Sequence, residues 1–98
     1  MTRTKDFYLL LLSWALVEIR ALQYEGNLDL APKVADMLHN VPEALRLPWT
    51  VDRDERIYEQ IRAKAGIYGL TEMLDGWERA ALRRISQEAG EQQNVCSE

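Results

Sequence analysis

From Phe7 to Val17 the chain reads FYLLLLSWALV, an apolar run broken only by Ser13 and preceded by Arg3 and Lys5. A basic start followed by ~7–15 apolar residues is the outline of a secretory signal, and Ser13-Trp14-Ala15 offers small residues for a cleavage site. Two features favour a structural helix instead. Asp6 sits at the edge of the run, and the same amphipathic pattern continues past any cut through Ile19, Ala21, Leu22 and Tyr24. A membrane span needs ~20 predominantly apolar residues, and Glu18 and Arg20 interrupt the run before that length. The expectation is therefore a structural helix over residues 5–25, with no membrane as partner.

Wound at about 100° per residue, this helix places Asp6, Ser13 and Arg20 on one narrow stripe, with Gln23 at its edge. Phe7, Leu10, Leu11, Trp14, Val17 and Leu22 cover one broad side, and Leu9, Leu12, Leu16 and Ile19 much of another. An ordinary surface helix carries an apolar stripe a little over ~100° wide. Here nearly every direction is apolar, so the helix needs cover on two sides. A chain of 98 residues forms one small core, and a second copy supplies the missing cover. The sequence thus predicts a homodimer built on this helix, with Tyr8, Leu9, Leu12, Ser13, Leu16 and Ile19 in the self-association surface. The alternative is a central helix wrapped by the others.

The remainder reads as further helices. Glu25-Gly26-Asn27 is a stop and turn. A second helix is predicted from about Leu30 to His39, capped by Asp29, with Leu30, Val34, Met37, Leu38 and Val41 inward. Pro42 and Pro48 bracket a possible single turn at Glu43–Arg46, with Leu45, Leu47 and Trp49 plugging the bundle. Asp52 and Glu55 resemble a capping box. A third helix should run from there to about Ala65, with Ile57, Ile61 and Ala65 inward. A fourth, from about Leu70 to Glu88, points Leu70, Leu74, Trp77, Ala81 and Ile85 at the core. No alternating run or hairpin signal occurs. The fold class is all-α: a compact bundle of about four helices, with residues 1–89 as a single helical domain and 90–98 as a disordered tail.

Chemistry is sparsely signalled. One Cys and one His leave no disulfide framework and no His/Cys metal cluster, so neither metal nor cofactor is expected. The most site-like cluster is Asp36, His39 and Asn40. Asp36 and His39 are three apart and share a helix side, where a carboxylate can orient an imidazole for general-base work or supply a metal ligand beside it. HD-type hydrolases need several His and a His-Asp dipeptide, which this chain lacks. Glu55 with Glu59 and Glu72 with Asp75 have Arg neighbours, favouring solvated pairs over a pyrophosphohydrolase site. The residues favour a non-enzymatic role, with His39 at a helix end.

Ala65, Gly69 and Leu70-Thr71 match the spacing of a helix-turn-helix. However, Glu72, Asp75 and Glu78 would meet the phosphates first, and Arg79, Arg83 and Arg84 come late. Twelve Lys and Arg against 16 Asp and Glu give a net charge of −4, the wrong sign for a general phosphate-backbone binder. No nucleic-acid partner is expected. Three readings remain. One is a cytoplasmic protein-interaction module that self-associates through its first helix and binds another protein. A second is an acidic inhibitor of a basic partner, of the immunity or antitoxin type. The third is a small-ligand or hydrolytic site around Asp36 and His39.

Overall fold

The structure is a computed structural model that describes residues 3–96, and the side chains of residues 3–88. Its elements are α1 (Lys5–Tyr24), α2 (Leu30–Met37), α3 (Val41–Ala44), α4 (Val51–Tyr68) and α5 (Thr71–Cys96). The architecture is the predicted all-α bundle: four helices of two turns or more, joined by the single turn α3. No strand occurs among the described residues. Helix α1 packs on α2 and α5, α4 packs on α2 and α5, and α3 leans on α4.

Helix boundaries follow from local chemistry. Thr4, in extended conformation, accepts a hydrogen bond from the Phe7 amide and starts α1. At the far end Gly26 takes φ 81°, the Asn27 amide donates to the Leu22 carbonyl at 2.8 Å and the Gly26 amide to Gln23 at 3.1 Å. That pair of bonds is a Schellman stop. The same device closes α4, where Gly69 takes φ 70° and the Leu70 amide reaches the Ala65 carbonyl at 2.7 Å.

Two expected caps are displaced. Asp29 makes no side-chain cap bond; the Asn27 side-chain Oδ1 accepts from the Leu30 amide instead, at 3.3 Å. Helix α4 begins ahead of Asp52, because the extended Thr50 accepts from the Arg53 amide. That earlier start places Asp52, expected as the cap, in the first turn together with Asp54. Helix α2 ends at Met37, short of His39. The single turn begins at Val41, two residues before the expected Glu43. The backbone of α5 continues to Cys96; the side chains of residues 89–98, which include the expected tail at 90–98, lie outside the described residues.

The core holds Phe7, Tyr8, Leu11, Ala15 and Leu22 of α1, Val34, Met37, Leu38 and Val41, Ile57, Ile61 and Ala65 of α4, and Leu70, Leu74 and Ala81. Leu30, Trp77 and Ile85, also assigned inward, are half-buried against it. Each large apolar side chain removed from water contributes roughly 1.5–3 kcal/mol. Leu45 and Trp49 pack on the core as expected, whereas Leu47 is exposed. Helix α1 is rotated between the two sides read from its wheel. The line Phe7–Leu11–Ala15–Leu22, with Tyr8 beside it, faces inward, and Leu10, Leu12, Trp14 and Ile19 form half-buried shoulders. The bundle thereby covers more of α1 than one stripe, and Val17 is turned outward.

Candidate functional site

Three places gather polar or exposed apolar groups. The first surrounds Asp54, the one buried charged residue among those described. The Arg3 amide donates to its Oδ2 at 2.9 Å, the Arg3 guanidinium at 3.3 Å, and the Tyr8 hydroxyl to its Oδ1 at 2.5 Å. The Trp49 indole donates to the Arg3 carbonyl at 2.8 Å, and the Arg3 guanidinium lies 3.5 Å from the centre of the Tyr58 ring. Burial, then the hydrogen bond and charge of Asp54, holds the Tyr8 phenol far above its ordinary range. With three donors on its two oxygens, this buried carboxylate is satisfied by hydrogen bonds within the chain. This network ties the segment before α1 to the start of α4. Tyr8, assigned to the self-association surface, is instead fully buried within its own chain, because its ring packs edge-on against Phe7 and its hydroxyl meets Asp54.

The second place is Asp36. It does not pair with His39 through its side chain. The Tyr68 hydroxyl donates to Asp36 Oδ2 at 2.6 Å, and Lys64 Nζ to Oδ1 at 3.3 Å and to the Asp36 carbonyl at 3.1 Å. The Tyr68 bond, then Lys64, holds the Asp36 carboxyl below the usual carboxylate range. The arrangement clamps α2 onto α4. His39 is exposed just past α2, and Asn40 donates to Gln60 Oε1 at 3.4 Å. Asp36, His39 and Asn40 therefore do not converge on a common cavity. Among the described residues no three His, Cys, Asp or Glu lie close enough to hold a metal ion.

The third place is the outer side of α1 and a neighbouring question of what covers it. Leu9, Leu16 and Val17 are 49%, 59% and 65% exposed. Leu12 and Ile19 adjoin Leu9 and Leu16 as a half-buried shoulder. The Ser13 hydroxyl donates back to the Leu9 carbonyl at 2.9 Å, so its polar group is satisfied within the helix. By length and composition α1 could cross a membrane, but its inner line is committed to the bundle core.

A groove of ≈ 310 Å³ also opens between α3 and α4. Asn40, Glu43 and Leu47 form one wall; Arg53, Arg56 and Gln60 form the other, with Ile57 between. Of these only Asn40 belongs to the site-like cluster read from the sequence, whereas the same reading assigns Leu47 and Ile57 to the core. Arg79, Arg83 and Arg84 of α5 are exposed, and Arg84 pairs with Glu88 four residues on, at 3.3 Å, with both side chains 60% exposed. Asp75 and Glu78, early in α5, both engage Arg62 of α4. No family model, curated protein or solved structure matches the chain.

Proposed function

We propose that this chain is a small helical interaction module that self-associates through the outer side of α1. The observation that carries this reading is the exposure of Leu9, Leu16 and Val17 on a helix whose opposite side is already buried. Large apolar side chains grouped on one element, beside a further apolar shoulder, mark an interaction surface more often than an ordinary solvated face. A two-fold pairing covers such a strip with the fewest requirements, since the same surface serves both copies. Ser13 suits the seam, being small and internally bonded.

Leu16 is the residue to test. It is exposed in the single chain, so Leu16→Glu leaves the core intact, whereas Leu12 is packed against the core and its substitution would confound folding with assembly. Wild-type protein at micromolar concentration should sediment as two chains. Leu16→Glu should sediment as one, with unchanged helical circular dichroism, because an unpaired carboxylate in an apolar seam is costly. A wild-type mass of one chain across that range refutes the reading.

A further inference from the structure

We infer that a second copy of the chain docks on α1 in the antiparallel sense, centred on Ser13, so that Asp6 of each copy meets Arg20 of the other. This rests on the reading that α1 self-associates and supplies the orientation, which that reading leaves open. The outer strip of α1 consists of Asp6, Leu9, Ser13, Leu16, Val17 and Arg20, all exposed. Its two charges are opposite in sign and placed symmetrically: Asp6 stands seven residues before Ser13 and Arg20 seven after it. Seven residues fall just short of two helical turns, so the three side chains lie nearly in line, and each charge sits about 10 Å along the axis from Ser13.

A two-fold axis at Ser13 brings each residue before it level with the residue equally far after it in the other copy. Asp6 then faces Arg20 of the second copy at one end of the strip, and Arg20 faces its Asp6 at the other. Leu9 and Leu16 lie on one side of the line and meet each other across the axis. Val17, on the other side, meets Leu10, which is half-buried at the base of the strip. Ser13, small and bonded to its own helix, stands at the crossing. A parallel pairing instead sets Asp6 against Asp6 and Arg20 against Arg20, like against like at both ends. The other charges of α1 do not reverse this choice. Lys5 is about 100° round the helix from Asp6, and Glu18 points away from the strip; Arg3 is engaged by Asp54. Among the described residues neither Asp6 nor Arg20 has an ion-pair partner in its own chain. Other surface charges share that condition, so what singles this pair out is its symmetry about Ser13. Exposed ion pairs add little affinity; the leucines hold the copies together and the charges choose the sense.

The test combines charge reversal with crosslinking in the full chain, association being read by sedimentation. Asp6→Arg and Arg20→Asp, each alone, bring like charges together at both ends of the antiparallel pair and should raise the dissociation constant roughly tenfold or more. Carried together on one chain, they exchange the signs and should return it to within about threefold of the wild type. Asp6 also suits the first turn of α1 by its charge, but that local role predicts no recovery of association in the double variant. Separately, Asp6→Cys and Arg20→Cys chains of different tag mass, each with Cys96→Ser, are mixed and mildly oxidised. The mixed crosslink should exceed either like crosslink, and it decides the sense if a reversal variant fails to fold. A monomeric wild type would overturn self-association and this inference with it. A dimeric wild type whose single reversals bind normally, whose double variant stays weak, or whose cysteines join like to like would overturn the antiparallel sense alone.

Discussion

Asp54 shows how a single residue links the sequence to the architecture. It stands three residues before Ile57 and seven before Ile61, which puts a carboxylate on the apolar face of α4. There it is buried and accepts from the Arg3 amide, the Arg3 guanidinium and the Tyr8 hydroxyl. Leaving a buried polar group without its partner costs more than the bond itself contributes, so the members should depend on one another. Tyr8→Phe should cost about 1–2 kcal/mol, and Asp54→Ala more, since it strands several donors at once. The double variant should be less destabilised than the sum, by about 0.5 kcal/mol or more. Urea unfolding of the four proteins measures the coupling; strict additivity would mean that the Tyr8–Asp54 bond has no energetic weight.

At the scale of elements, the two left-handed glycines and the two helical ones separate backbone geometry from packing. A methyl group added at Gly26, Gly66, Gly69 or Gly76 would meet nothing within 4 Å, so sterics against neighbours cancel from the comparison. Gly69 has φ 70°, where a side chain strains the backbone, so Gly69→Ala should destabilise by about 1 kcal/mol. Gly76 lies within α5, and Gly76→Ala should stabilise by about 0.5–1 kcal/mol through helix propensity. Thermal melts of the pair give the sign directly, and a stabilised Gly69→Ala would contradict the Schellman stop. This contrast also explains what is legible in the sequence. The long helices are, because apolar residues at helical spacing and glycine stops agree with each other. The caps are less so: Asn27 and Asp29 both suit the start of α2, as do Thr50 and Asp52 for α4, and tertiary geometry chooses between them. The rotation of α1 is legible only through its narrow polar stripe: Asp6, Ser13 and Arg20 are all exposed and the buried line lies opposite them, whereas the apolar residues alone give no preferred inward direction. The Asp36–Tyr68–Lys64 clamp and the α3–α4 groove join residues far apart in sequence, and no local pattern announces them.

For the whole molecule, these clamps make stability depend on pH at both extremes, with opposite signs. Asp36 is held below the usual carboxylate range by Tyr68 and Lys64, so the unfolded chain takes up its proton first on acidification. Its contribution is present above the unfolded value of about 3.9 and is lost as pH falls through the folded one. The phenols behave inversely. Tyr8 is raised by burial and then Asp54, Tyr58 by burial and then Glu78, and Tyr68 by its bond to Asp36. Their ordinary value is about 10. Below that pH both states keep the protons and these groups give no slope. Above it the unfolded chain releases protons that the folded chain retains, so stability falls as pH rises. The expected profile therefore has an alkaline decline that begins near pH 10, and urea midpoints measured across the alkaline range would trace it. Tyr8→Phe should be less stable at neutral pH yet decline less steeply above pH ~10, because it removes one of the three raised phenols. The other two keep part of the slope. Parallel declines for the variant and the parent would show that the Tyr8 phenol ionises alike in both states, and hence that the buried bond to Asp54 does not hold its proton.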